Sequence, residues 1–291
     1  MLHDGSAFEQ AKKRSTPLTV QEFVIKALVG IVVLGAGTAY LRGWYHLRAS
    51  GYEAPAWRCA LYVAGLASIV VALLSPIDEL AAEQFSAHMI QHLLLTMTAA
   101  PLLLLGNPFP LVLWGLPRAP RRAVAAAFRP RASVRRVLIV ITGLAVAGPV
   151  HVITIWVWHL PRFYEAALTH ESLHALEHLS FFGTAILFWW PIIRPAPRMG
   201  PRPHPGFQIL YLIAATGQNV ALGALLSVPE RLLYPHYAHI ATGLGPGALD
   251  DQIFGGGIMW ASGHMYLLPI LVILYRFGRG DDSDHSTAPA H

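Results

Sequence analysis

Seven long apolar runs decide what this chain can fold into. A helix of about 20 apolar residues crosses the ~30 Å hydrocarbon layer of a bilayer and satisfies its own backbone hydrogen bonds there. The runs occupy residues 22–41, 57–76, 87–106, 136–158, 172–193, 207–228 and 254–275. The sequence therefore predicts an all-α fold, a seven-helix transmembrane bundle surrounded by the lipid bilayer.

The composition of the 291-residue chain supports this prediction. Hydrophobic residues make up 54% of the chain and charged residues 13%, whereas soluble domains contain about 25% charged residues. The basic residues flank apolar runs and do not alternate with polar and aromatic residues on a soluble face, so we expect no nucleic-acid partner. Cys59 is the one cysteine, which excludes disulfide frameworks and all-thiolate metal sites.

The two ends of the chain differ from the apolar middle. Residues 1–20 are polar and lack the apolar core of a signal peptide, so we expect the first span to be retained. The last residues are polar and lack any apolar run, which is typical of disorder. The sequence thus predicts three parts: a polar tail over residues 1–20, a seven-span membrane domain over 21–276 and a disordered tail over 277–291.

Lysine and arginine are unequally divided between the two sides of the bundle. Fifteen lie on one side: Arg42, Arg48, Arg58, Arg118, Arg121, Arg122, Arg129, Arg131, Arg135, Arg136, Arg194, Arg198, Arg202, Arg276 and Arg279. The other side has five, namely Lys12, Lys13, Arg14, Arg162 and Arg231. Basic residues concentrate in cytoplasmic loops, so we predict that the N-terminus is outside and the C-terminus is cytoplasmic.

Proline and glycine mark further features inside the spans. Pro101, Pro149 and Pro269 are expected to kink their helices, because proline removes one backbone hydrogen bond and crowds the preceding turn. Gly30, Gly35 and Gly37 in the first span indicate close helix packing, for which small residues are favoured in membranes.

Fifteen histidines are unusual in a chain with so few charges. His88 and His92 form HMIQH at the start of the third span, and His174 and His178 form HALEH at the start of the fifth. Residues four apart share one helix face, with Cβ atoms about 5–6 Å apart. Both spans run from outside to inside, so the two pairs start at the same depth and can share one site.

Imidazole is a ligand for copper, zinc, iron and nickel, and thioethers add a preference for Cu(I). We therefore expect the two pairs to bind a metal together with His159, with copper as Cu(I) preferred over zinc or haem. Met89 and His264 are additional candidate ligands. The alternative is a set of interfacial histidines that only make hydrogen bonds. Glu177 either orients an imidazole or faces water.

Three separated motifs resemble the polytopic CtaG family of cytochrome c oxidase assembly proteins, in its caa-type oxidase branch. They are HMIQHLLLTMTAAPLLLLGNP (88–108), WHLPRFYEAALTHESLHALEHLSFF (158–182) with FWWP (188–191), and DQIFGGGIMW (251–260). The motifs occur in the family's order, and the resemblance covers about residues 20–276.

This resemblance implies a multi-pass protein of the bacterial inner membrane that is not an enzyme. It implies a role in making an active haem-copper oxidase, through copper handling at the outer face, with the oxidase subunits as partners. Its histidine positions correspond to His88, His92, His159, His174 and His178, and its acidic–amide pair to Asp251 and Gln252. Asp251 is thereby a further candidate ligand, whereas His264 stands where a small or apolar residue is expected. The oligomeric state stays open.

Two other functions use similar residues. A haem-binding membrane electron carrier would use histidines on facing helices as axial ligands, and its optical spectrum would show a Soret band. A membrane di-iron oxidoreductase is also built on HxxxH motifs. Such enzymes typically also contain HxxHH on the cytoplasmic side, whereas this chain has no HxxHH and the opposite predicted sidedness.

Reporter fusions test the predicted topology. A fusion within residues 107–135 is expected to report the cytoplasm, and a fusion within residues 77–86 is expected to report the outside, because of the fifteen-to-five division of basic residues. A cytoplasmic signal from the 77–86 fusion would reverse the sidedness and move the paired histidines to the inner face.

Overall fold

The structure is a computed structural model that describes residues 19–129, 131–239 and 247–279. Within these residues the chain is helical and contains no strand, which confirms the all-α class. The helices are α1 (Val20–Ala49), α2 (Ala56–Leu73), α3 (Pro76–Glu83), α4 (Phe85–Leu93), α5 (Ala100–Leu105), α6 (Pro108–Gly115), α7 (Arg118–Ala127), α8 (Ser133–Ile141), α9 (Leu144–His159), α10 (Pro161–Thr169), α11 (Glu171–Ile193), α12 (Pro205–Ser227), α13 (Ala248–Ser262) and α14 (Leu267–Gly278).

The described helices form a multi-pass membrane bundle. Six continuous helical stretches are long and apolar enough to cross a membrane, and a seventh is obtained when α8 and α9 count as one span. Each predicted apolar run falls on one of these stretches. The largest difference is in α1, which has 30 residues and extends to Ala49. Residues 1–18 and 280–291 of the two predicted tails lie outside the described residues.

The irregularities of the helices coincide only in part with the kinks that the prolines predict. The fourth span bends by 67° between α8 and α9, at Thr142 and Gly143, whereas the sequence predicts a kink at Pro149. Pro149 is accommodated inside α9. Pro101 follows a π-helical turn over Leu94–Ala99. A proline ring crowds the carbonyl four residues earlier, so irregular hydrogen bonding in the turn before it has a direct physical cause.

Polar contacts place three chain segments at one end of the bundle. The Lys26 ammonium lies 3.0 Å from the Asp78 carboxylate of α3. The Thr19 hydroxyl, which also caps α1, donates to Glu171 at the start of α11. The N-terminal end of the first span therefore lies beside the connection to the third span and beside the start of the fifth, as the alternation of spans requires.

Close packing in the first span occurs at one of the three predicted glycines, Gly37, whose added Cβ would lie 3.3 Å from Leu66 Cδ1 of α2, and at Gly43, which was not predicted. A Cβ atom on Gly30 or Gly35 would meet nothing within 4 Å, so that expectation is wrong for both residues. A Cβ on Gly43 would collide with the Leu111 carbonyl of α6. Few residues of α1 are buried, and they lie in its second half, including Tyr40, Gly43 and Leu47.

The GGG sequence of α13 brings this helix against the third and sixth spans. A Cβ on Gly255 would collide with the Phe85 ring of α4, and a Cβ on Gly256 would lie 2.8 Å from the Ser227 amide nitrogen of α12. A Cβ on Gly257 would meet nothing within 4 Å. Gly255 is therefore required for the close approach of α13 to α4, the helix of the first histidine pair, and Gly256 for its close approach to α12.

Gly256→Ala should destabilise the bundle, and its neighbour provides the control. Overpacking of a tight contact costs about 1–3 kcal/mol, whereas Gly257→Ala removes a glycine from a helix without a clash and gains up to about 1 kcal/mol. Thermal unfolding of both variants in detergent is expected to show a lower midpoint for Gly256→Ala only. Equal midpoints would contradict the described packing of α13.

Candidate metal centre

The start of α4 is fixed by a carboxylate from α13. Asp251 accepts hydrogen bonds from the Ser86 amide nitrogen at 3.3 Å and from the Ser86 hydroxyl. This satisfies a backbone donor that helix geometry leaves free at an N-terminus. The adjacent Gln252 accepts from the Leu233 amide and donates to the Leu226 carbonyl. Asp251 thus orients the third span, and Gln252 holds the end of the sixth span and the connection that follows it.

The two histidine pairs meet in the bundle interior. The ring centroids are 4.3 Å apart for His88 and His92 and 4.2 Å apart for His174 and His178. Across the two helices, His88 lies 5.1 Å from His174, and His92 lies 5.4 Å from His178. Because α4 and α11 present their histidines at the same depth, all four imidazoles face a common volume.

Glu177 lies between the two pairs. Its Oε2 atom is 3.7 Å from His88 Nε2, and its Oε1 atom is 3.7 Å from His92 Nε2. The side chain is fully buried, so the alternative in which it faces water is wrong. Residues three and four apart share a helix face, which is why His174, Glu177 and His178 reach the same site.

His159, at the end of α9, completes the group. Its ring centroid lies 6.3 Å from that of His92. Its Nδ1 atom donates to the Ile155 carbonyl at 2.7 Å, which leaves Nε2 as the nitrogen with a free lone pair. We name His88, His92, His159, His174, His178 and Glu177 the histidine cluster.

Eight polar atoms of the histidine cluster lack hydrogen-bond partners. Those buried without one are the Nε2 atoms of all five histidines, Nδ1 of His92 and both carboxylate oxygens of Glu177. More than about 90% of buried polar groups in proteins are paired, and a group of exceptions calls for a partner such as an ion or water. The concentration of these atoms in one volume is typical of a cation site.

Two sets of ligand atoms are already close enough to suggest how an ion is held. One atom from each of His88, His92 and His178 lies within 4.8 Å of the others, and the same is true of His88, His174 and Glu177. A metal bound to imidazole nitrogens at about 2.0–2.1 Å requires donor separations up to about 4.2 Å. The donor atoms of each set therefore exceed these separations by at most about 0.6 Å.

Two tyrosines form a wall of the cluster. The Tyr237 hydroxyl lies 3.2 Å from His88 Nδ1, 3.0 Å from the Tyr164 hydroxyl and 3.2 Å from the Ala81 carbonyl, to which it donates. Burial raises the pKa of both phenols, so both remain protonated. Because the Tyr237 hydroxyl donates to the Ala81 carbonyl, its oxygen accepts a hydrogen bond from His88 Nδ1. This leaves His88 Nε2 free to bind an ion.

Neither tyrosine was predicted as a site residue from the sequence. Tyr164 lies within the 158–182 motif, and its place in that motif was the available signal. Tyr237 lies in a short 3₁₀ turn, Pro235–His239, of a connection that has no periodicity from which its direction could be inferred.

A polar chain behind α4 was also missed. Gln91, between the paired histidines, donates to the Ala72 carbonyl and to Asp78, each at 2.8 Å. Asp78 in turn binds Lys26 at 3.0 Å. This chain links the first three spans and holds α4 in one rotation, with its histidines turned toward α11.

The structure does not bring His264, Met89 or Asp251 into the histidine cluster. His264 is exposed and bonded to the Ala261 carbonyl; it lies sixteen residues into the seventh span, about 24 Å from the start of that span. Met89 packs in the apolar core with Phe85, because adjacent helical residues point about 100° apart. Asp251 is engaged by Ser86.

Comparison with known proteins identifies relatives along most of the chain. The family model of the cytochrome c oxidase caa3 assembly factor (Caa3_CtaG) matches residues 38–277. Uncharacterized proteins of Mycobacterium bovis and Mycobacterium tuberculosis are each 26% identical over 268 residues, which is 88% of this chain and 39% of theirs. A Mycobacterium leprae protein is 23% identical over 257 residues, 85% of this chain and 38% of its own. The chain thus spans about two fifths of the length of these relatives. No solved structure matches it.

Asp251→Ala should destabilise the bundle, because it removes hydrogen bonds to a charged group worth about 1.5–3 kcal/mol each. Asp250→Ala is the matched control: Asp250 is the adjacent residue of the same helix turn and is exposed, so a change of about 0.5 kcal/mol or less is expected. Thermal unfolding in detergent measures both. Equal stability of the two variants would contradict the described role of Asp251.

Proposed function

The chain belongs to the family of cytochrome c oxidase caa3 assembly factors, and we propose that it binds copper at the histidine cluster for delivery to a haem-copper oxidase. The observation that supports this most directly is the group of five imidazoles and one carboxylate whose buried polar atoms face one another without partners. Copper here is cargo, and the protein performs no catalytic step on it.

The charge of the site favours a monovalent ion. Glu177 is the single carboxylate of the cluster, and neutral imidazoles supply the remaining ligands. Burying an uncompensated charge in a low-dielectric interior is costly. One carboxylate neutralises Cu(I), whereas Zn²⁺ or Cu²⁺ would leave a net positive charge among apolar helices. Imidazole ligands suit copper, so Cu(I) is the proposed cargo and zinc the second choice.

The arrangement favours an ion over the two alternative cofactors. The imidazoles are packed edge to face on each other and do not lie on opposite sides of a planar space, as axial ligands of a haem would. Di-iron sites in helical bundles use several carboxylates together with histidines, whereas this cluster contains Glu177 alone. Neither alternative gains support from the geometry.

The direction of delivery rests on the predicted topology. The histidine cluster lies at the beginnings of the third and fifth spans and at the end of the fourth, the end of the bundle that contains Lys26 and Asp78. The positive-inside rule assigns this end to the outside of the bacterial inner membrane. We therefore propose that copper enters from the outer face and that the partners are oxidase subunits in the same membrane.

Replacing His92 by alanine should lower terminal oxidase activity per unit of oxidase subunit. His92 has two unpaired ring nitrogens and contacts both His88 and His178. Changing a residue that only supports a ligand typically lowers metal affinity about 10–100-fold, so loss of His92 itself should lower copper affinity by more than this. His264→Ala is the control, since that histidine is exposed and remote from the cluster. Activity is measured in membranes with each variant at parental abundance.

Excess copper in the medium should restore part of the activity of His92→Ala, because mass action offsets a weakened affinity. The proposal is contradicted if His92→Ala and His264→Ala support equal oxidase activity. Interhelical hydrogen bonds alone are worth about 0.6 kcal/mol each, so purely structural histidines would give that result.

A further inference from the structure

A small cavity of about 20 Å³, enough for a single ion or water, continues from the histidine cluster into the bundle. His92 and His159 of the cluster line its outer end, and His151 lies eight residues before His159 on α9. At 1.5 Å per residue, His151 is about 12 Å deeper in the membrane. We name this space the inner cavity.

Two buried methionines line the inner cavity. Met97 comes from the π-helical turn of the third span and Met259 from α13. The buried apolar side chains form separate clusters, of which one contains Met97 and Phe188 and another contains Met259 and Phe85. The cavity therefore lies between these two clusters. Flexible methionines usually fill such spaces, but here a space remains beside both.

Polar groups at both ends of the cavity have nitrogens free for a ligand. His92 has no hydrogen bond at either ring nitrogen, and His159 has none at Nε2; all three atoms are buried. His151 is 2% exposed, and its Nδ1 binds the Thr184 hydroxyl at 3.0 Å, which leaves Nε2 outside that bond. An imidazole therefore lies at each end, and two thioethers line the same cavity.

The chemistry of this lining selects one class of ion. The described residues around the cavity include neither a carboxylate nor a thiolate. A divalent ion there would be buried without charge compensation, which is strongly unfavourable. Thioether and imidazole ligands are neutral and polarizable, and thioethers select Cu(I) among the common metals.

We propose that Met97, Met259 and His151 form a second Cu(I) subsite, reached from the histidine cluster through His92 and His159. This inference rests on the proposed function and deepens it. The outer subsite offers nitrogen and carboxylate ligands, and the inner one offers sulfur. Copper taken up at the outer face would then be held within the membrane interior, in a form restricted to Cu(I).

Anaerobic titration of the purified full chain with Cu(I) in detergent, followed by copper X-ray absorption, tests this inference. The parent protein should bind copper to nitrogen ligands first and a further equivalent with sulfur among its ligands. The double variant Met97→Leu/Met259→Leu should lose the second, sulfur-bound equivalent of copper. It should keep the first equivalent, which is bound by nitrogen. Methionine and leucine have similar volumes, so the fold should persist; the thermal midpoint checks this.

Met89→Leu is the matched control, because Met89 is a fully buried methionine that does not line the cavity. It should behave as the parent. The single variants Met97→Leu and Met259→Leu should each weaken the further equivalent, which keeps the test decisive if the double variant unfolds. Copper with nitrogen and oxygen ligands only would overturn the inner subsite and leave the proposed function intact. Sulfur ligation that persists in the double variant would also overturn the inner subsite. A parent protein that binds no copper would overturn both the inner subsite and the proposed function.

Discussion

In a bilayer, each polar group removed from water must find its partner inside the protein, and the fold follows from this requirement. Helices pair the N–H and C=O groups of the backbone within each span. Most polar side chains between the spans are also paired, as Ser86 is with Asp251, Gln91 with Asp78 and Asn219 with Ser262. The histidine cluster is the concentrated exception, with buried nitrogens and carboxylate oxygens that have no partner. The paired contacts hold the helices in place, and the exception is where we propose that an ion binds.

The supporting contacts explain how these unpaired groups are kept together. Gly255 lets α13 lie against α4, and Asp251 of α13 fixes the first turn of α4. Gln91 sets the rotation of α4, and Tyr237 sets the proton position on His88. Each contact acts on one helix, the third span, and together they turn its histidines toward those of the fifth. The histidine cluster is thus held in place by neighbours outside the proposed set of ligands.

The sequence predicted the features that depend on helix periodicity and apolar length. Seven spans and the approach of two HxxxH pairs follow from these rules; the described residues contain six candidate spans, or seven when α8 and α9 count as one, and the two pairs lie together. Features that depend on tertiary contacts were not predictable. Glu177 shares its face with the histidines, but its burial depends on the packing of α4. Tyr237 comes from a connection without periodicity, and the 67° bend lies at Gly143 and not at Pro149. His264 was a candidate by residue type alone, and its depth in the seventh span separates it from the site.

The most direct test of the copper site is the metal content of protein purified in detergent after growth with copper, measured by mass spectrometry together with a visible spectrum. We expect copper bound to the parent and to His264→Ala, lost from the combined variant His88→Ala/His178→Ala, and no Soret band. A copper content in the combined variant equal to that of the parent, or a Soret band in the parent, would contradict the account of the histidine cluster as a copper site.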